Sequence, residues 1–216
     1  ICVSLFSVFA ESNNIENYLK GNIADKTTAV RKATGKDAVW LSDKAINFVL
    51  ESKEILGNDR ELDGLAVAAI LSFPLDYVKS SSEQSKEIIL TNLTNLFEVF
   101  KGSTTVQTAI ISKVSSFKNF MNISPFIKSL NRYISTSNLS NCEPDVINAV
   151  FNLLQTNGDN ETFSIVYKYY AAKRFPEFQN TFENIIVSLL SVSMNEAVTI
   201  ANSTNLDNVI SFFSIL

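Results

Sequence analysis

The sequence predicts an all-α protein. Three observations carry that prediction. Apolar residues recur at helical spacing between a capping residue and a closing glycine. The connections between such segments are short. No alternating run of β-branched residues is bounded by hairpin turn residues, and Asn157-Gly158 joins two helical patterns instead.

The stretch from Asn141 to Phe163 shows the unit complete. Asn141 and Glu143 offer capping oxygens to first-turn N–H groups, and Pro144 suits a first helical position because its missing N–H costs nothing there. Val146, Val150, Leu153 and Leu154 recur at i, i+4, i+7 and i+8, and Ile147 and Phe151 widen that face. Asn157-Gly158 closes the helix in the manner of a left-handed C-cap. Asp159 or Asn160 can cap the next one.

The other elements follow the same grammar. A short helix is expected over about 15–20, another over about 26–34, and a third from Asp37 or Ser42 to Leu56. Asn58 opens a fourth with Glu61 as its capping-box partner; it carries Leu62, Leu65, Ala66, Ala69 and Ile70 and ends at Phe73-Pro74. Ser81 with Gln84 makes a second box, before the stripe Ile89, Leu93, Leu96, Phe97 and Phe100. Thr104 with Gln107 makes a third. Ser124-Pro125 opens FIKSLNRYI, the unit at 141–163 follows, and TFSIVYKYYAAKR comes next. Pro176 begins a helix rich in Phe182, Ile185, Ile186, Leu189 and Leu190, and MNEAVTIAN and LDNVISFFSIL close the chain. Gly21, Gly35, Gly57, Gly102 and Gly158 each follow an apolar segment, where helices stop.

Each segment has one apolar face too large to leave wet and too small to fold alone. Stacking neighbours buries a continuous core. The expected architecture is therefore a right-handed α-solenoid of stacked antiparallel helices, with a closed helical bundle as the alternative. Setting 59–73 with 85–100 over 142–155 with 162–175 aligns polar and apolar positions at a period of roughly 40–50 residues.

On that pattern, with Pro144-Asp145 and Arg60 echoing the Pro and the turn Asp or Arg of such repeats, residues 26–216 resemble the HEAT/armadillo superfamily of α-solenoids. Together with the signal-like start described next, the chain resembles exported HEAT-repeat proteins of spirochaete-type bacteria. The resemblance implies a non-enzymatic scaffold that binds another protein or a peptide along the concave solenoid face.

The opening ICVSLFSVFA is apolar and uncharged, ends in Val8-Phe9-Ala10, and is followed at once by the polar ESNNIEN. Such a segment is expected to be the remnant of a secretory signal peptide over residues 1–10. Residues 11–25 then form a linker with a short helix, and 26–216 a single helical-repeat domain. VISFFSIL stops within an apolar face, which predicts truncation at that end. No later apolar run approaches the roughly 18 residues that span a bilayer. The mature chain is therefore expected to lack a transmembrane span and to lie in the periplasm or cell envelope of a bacterium.

Composition excludes several chemistries. The 216 residues are 46% apolar, enough for a sizeable core. The net charge of −4 argues against nucleic acid, which needs a clustered basic footprint. There is no histidine, so Ser–His–Asp triads, Cys–His pairs and histidine metal sites are absent. Cys2 and Cys142 stand alone rather than in a C-x-x-C. No cofactor motif appears, and no cofactor is expected.

Asp59, Glu61, Asp63 and Gly64 imitate the start of an EF-hand loop, but the twelfth position is Ile70 where a bidentate Glu belongs. Acids at a helix N-terminus explain them better. Trp40 is expected to plug the first interface between units. The paired acids Glu51 with Glu54 and Glu83 with Glu87 read as solvated helix faces. They supply the competing functional class, a hydrolase or transferase built on carboxylates without histidine. In VYKYYAAKRF, Tyr167, Tyr170 and Arg174 share one helix side while Tyr169 and Lys173 share another. Aromatic and basic residues interleaved in this way can hold a peptide. Tyr169, Lys173 and Arg174 are the partner anchors the sequence points to, against a plain reading of core tyrosines flanked by snorkelling cations.

Overall fold

The computed structural model describes residues 14–201, with side chains as far as Val192. Both Ile1–Ala10 and the closing LDNVISFFSIL lie outside the described residues. Among the described residues every regular element is helical. In order they are α1 (14–20), α2 (Ile23–Lys32), α3 (Gly35–Leu56), α4 (Arg60–Ser72), α5 (Leu75–Ser80), α6 (Glu83–Val99), α7 (Thr104–Phe117), α8 (Ser124–Thr136), α9 (Pro144–Asn157), α10 (Asn160–Ala171) and α11 (Gln179–Ala201). Short 3₁₀ turns at Leu139–Asn141 and Pro176–Phe178 precede α9 and α11.

The helices begin where side chains can satisfy free N–H groups. Asn22 and Asp25 form a reciprocal capping box on α2. The Asp59 carboxylate accepts from the Glu61 and Leu62 amides at the start of α4, and the Ser82 hydroxyl accepts from Ser85 N at the start of α6. These caps lie one residue beyond Asn58 and Ser81, the positions the sequence pointed to. Asp159 caps α10, with Thr162 completing the box.

The helices stop for varied reasons. Gly57 ends α3 at φ 63°, ψ −132°, a conformation essentially reserved for glycine. Gly158 does its work differently from the left-handed cap expected. Its φ is not positive, and a Cβ there would lie 2.5 Å from the Leu154 carbonyl oxygen, so what Gly158 permits is a close approach. The turn α5 has no forecast in the sequence because six residues are too few for a period to register. MNEAVTIA continues α11 and is not a separate helix, since neither Gly nor Pro interrupts 179–201.

The described residues divide into two compact units. One holds the chain up to Ser129 together with Glu143–Ala149, the other Leu130–Cys142 with the residues from Val150. The sequence pattern, uniform in its grammar, predicted a single domain.

In the first unit helices pack both on their sequence neighbours and on the helices beyond. α3 packs on α4, and α6 on α7; α2, α4 and α7 meet in one row, α3 and α6 in another. Leu62, Leu65, Ala66, Ala69 and Ile70 of α4 are all buried, as their spacing predicts. Two polar ties join α4 to α7: the Ser103 hydroxyl donates to Asp63 at 2.6 Å, and the Lys113 ammonium to the Leu71 carbonyl at 2.9 Å. Trp40 stays partly exposed, its ring edge-on to Tyr18 of α1 at 6.3 Å.

In the second unit α10 packs on α11. Phe151 meets Phe182 edge-to-face at 5.6 Å, and Phe182 in turn lies 5.9 Å from Tyr169. The C-terminal half of α8 meets α10 through hydrogen bonds, and the Ser188 hydroxyl of α11 donates to the Gln155 carbonyl of α9.

Candidate partner-binding site

Tyr169, Lys173 and Arg174 lie together at the C-terminal end of α10, and the structure gives them different roles. α10 buries Thr162, Val166 and Tyr169, residues spaced i, i+4, i+7 along one stripe. Tyr169 is only 5% exposed. Its hydroxyl donates to the Ile134 carbonyl at 3.0 Å, which satisfies a polar group inside the unit. The side chain is thus a core residue and offers no free face to a partner. Tyr169 falls three residues after the buried Val166 and turns inward with it.

Beyond Tyr169 the helix ends in a Schellman motif. Arg174 N–H donates to the Tyr169 carbonyl at 2.9 Å and Lys173 N–H to the Tyr170 carbonyl at 3.0 Å. The C′ position of this motif needs a left-handed backbone and usually holds glycine. Here Lys173 occupies it at φ 51°, and Phe175 adopts φ 52° two residues later. Left-handed backbone at a non-glycine residue costs of order 1–2 kcal/mol. The Arg174 guanidinium lies 5.0 Å from the centroids of both the Tyr169 and Phe175 rings, and those rings meet edge-to-face at 5.3 Å. Gln179 Nε2 fastens the turn by donating to the Arg174 carbonyl at 2.7 Å.

The exposed aromatic surface lies one position round the helix from the buried stripe. Phe163 and Tyr167 stack nearly parallel, 9° apart with centroids 5.8 Å apart. Tyr167 is 50% exposed and Tyr170 37%. Phe163, Tyr167 and Tyr170 follow i, i+4, i+7 spacing, and Arg174 is exposed beyond the helix end. Lys173 is exposed beside it. The edge therefore presents tyrosine rings and an arginine, residue types that carry much of the energy in protein interfaces, beside a lysine.

A buried polar network stands behind this edge. Asn131 of α8, fully buried, donates through Nδ2 to Asp159 Oδ1 at 2.9 Å and accepts from the Thr162 hydroxyl at 2.7 Å. The same Asp159 oxygen accepts from Thr162 N at 2.9 Å. Partial burial pushes the Asp159 carboxyl up, but these hydrogen bonds outweigh it and hold the group below the usual carboxylate range. Asn131 escaped notice in the sequence, although a polar residue four places after the apolar Ile127 and three before Ile134 marks a core position.

The acidic motif at the start of α4 resolves as capping and packing. Asp59 caps, Asp63 ties to Ser103, and no group of three or more ligating side chains converges among the described residues. No helix among them is long and apolar enough to cross a membrane. The chain matches no family model, no curated protein and no solved structure.

Proposed function

We propose that this chain is a non-enzymatic scaffold that binds another protein or a peptide, and that the exposed edge of α10 is part of the binding surface. The observation that carries the reading is the exposed pair Tyr167 and Tyr170, with half-buried Phe163 stacked on Tyr167, beside Lys173 and Arg174. Strained residues cluster at functional sites, and among the described residues the two left-handed ones outside glycine flank Arg174.

We read the architecture as a HEAT/armadillo-like solenoid. In support, alternate helices of the first unit pack in two rows, the contact pattern of stacked pairs. Placement in the bacterial cell envelope rests on the apolar start at Ile1–Ala10. Fractionation of the native host with sequencing of the mature N-terminus tests it, and a cytosolic product that retains those ten residues refutes it.

The binding surface is tested with Tyr167→Ala, Tyr170→Ala and their combination with Arg174→Ala. All three side chains are exposed, so the variants should keep the wild-type circular dichroism spectrum, and Arg174→Ala should lower the unfolding midpoint only by the loss of its contact with the Tyr169 and Phe175 rings. The triple variant should lose a partner that the wild type retains from envelope extract, while Ile55→Ala in the first unit keeps it. Equal recovery by wild type and triple variant removes the α10 edge from the interface.

A further inference from the structure

α11 carries more apolar surface than its described neighbours cover. Phe182, Ile185 and Leu189 form its buried stripe, and on one flank of that stripe the Ser188 hydroxyl bonds the Gln155 carbonyl of α9. On the other flank Ile186 and Leu190 are only half-buried and Val187 is 57% exposed. The sequence goes on repeating apolar residues at the same helical spacing, with Met194, Ala197 and Val198. A helix that is apolar on two sides needs covering on both.

The sequence beyond α11 has the matching pattern. Leu206, Val209, Ile210 and Phe213 recur at i, i+3, i+4 and i+7, one apolar stripe at helical spacing. Thr204 and Asp207 stand three residues apart, the spacing of the Asn22–Asp25 box that starts α2. Between the end of α11 at Ala201 and a helix capped by Thr204, only residues 202–204 remain as a connection. Elsewhere in this chain connections that short join helices that pack on each other. Residues 33–34 join α2 to α3 and 57–59 join α3 to α4, and both pairs are in contact.

We propose that residues 206–216 fold back as an antiparallel helix and cover the bare flank of α11. The lengths agree. At about 1.5 Å per residue the segment spans about 16 Å, and the stretch of α11 from Leu190 to Ala201 spans about the same. The segment therefore reaches back to Leu190, where the described exposure begins. A short tether holds a neighbouring segment at an effective concentration on the order of millimolar. A second copy of the chain matches that only when it is itself about millimolar, so the tethered segment takes the face first. The docking lies within the second unit and does not depend on the α10 edge as a binding surface.

Hydrogen exchange of the full chain, followed by mass spectrometry, tests the assignment. Amides of 209–216 should exchange at least about tenfold more slowly than in an unstructured peptide of the same sequence. Leu190→Asp places a charge on the covered flank, and Phe213→Asp places one on the covering stripe. Each should return 209–216 to the rate of the free peptide while α10 keeps its wild-type protection. Free-peptide rates in the wild type overturn the proposal, and so does protection that Phe213→Asp leaves intact. Should Leu190→Asp fail to fold, Phe213→Asp decides the matter by itself. Sedimentation over a hundredfold range of concentration completes the test. Protection that vanishes on dilution together with a dimer assigns the face to a second copy and overturns the intramolecular docking.

Discussion

Arg174 and Tyr169 close α10 as a pair: the guanidinium covers the ring at 5.0 Å while the arginine N–H bonds the tyrosine carbonyl. They occupy the two positions of a Schellman motif that usually touch through apolar side chains. A cation over a ring fills that place here. The outer face of Tyr169 is covered by Arg174, its edge by Phe175, and its hydroxyl is held by Ile134.

Tyr169→Phe removes only that hydroxyl. The Ile134 carbonyl loses a donor inside the unit, and unfolding free energy should fall by about 1 kcal/mol. Tyr169→Ala also empties the space beside Phe182 and should cost about 3–5 kcal/mol. Urea titrations measure both. A Tyr169→Ala protein as stable as wild type would show that the ring is not packed as described.

Lys173→Gly should stabilise the protein. Glycine takes the left-handed conformation freely, and the relief is about 1 kcal/mol, reduced by the greater freedom of glycine in the unfolded chain. Differential scanning calorimetry should show a raised midpoint. A lowered one would mean that the lysine stem contributes packing that outweighs the backbone strain.

Gly64→Ala should likewise stabilise, by about 0.5–1 kcal/mol, because the site lies inside a helix and the added methyl meets open space. The unfolding midpoint in denaturant reads this directly. Destabilisation here would contradict the open space above Gly64.

Asn131→Ala strips two partners at once, leaving the Thr162 hydroxyl and an Asp159 oxygen short of a bond. The cost should be about 2–3 kcal/mol. The loss has a pH signature. Asp159 is held below the usual carboxylate range, so its contribution is present above the unfolded pKa of about 3.9 and disappears as pH falls through the folded value. Stability of the wild type should therefore drop steeply below about pH 4, and that part of the drop should shrink in Asn131→Ala. Parallel pH profiles for the two proteins would rule the network out as the source.

The fold class was legible because helical caps and apolar stripes are local. Val146 to Leu154 and Leu62 to Ile70 bury as their spacing requires. Cap positions slipped by one residue at Asp59 and Ser82, where neighbouring polar residues compete on nearly equal terms. The α10 edge was legible only in part. Spacing placed Tyr167, Tyr170 and Arg174 on one side, but which side faces the core depends on Ile134 and Phe182, distant in sequence.

The division of the chain has a consequence for how the protein is made. The polypeptide passes from one unit to the other after Ser129, after Cys142 and after Ala149. A ribosome that has just released Ser129 has delivered most of the first unit without its closing piece. Glu143–Ala149 arrives only after a stretch destined for the second unit has already emerged. Neither unit can be freed by a single cut, and an N-terminal fragment ending at Ser129 leaves behind the places that Val146 and Ile147 fill. The order of synthesis thus makes completion of the first unit wait upon the beginning of the second.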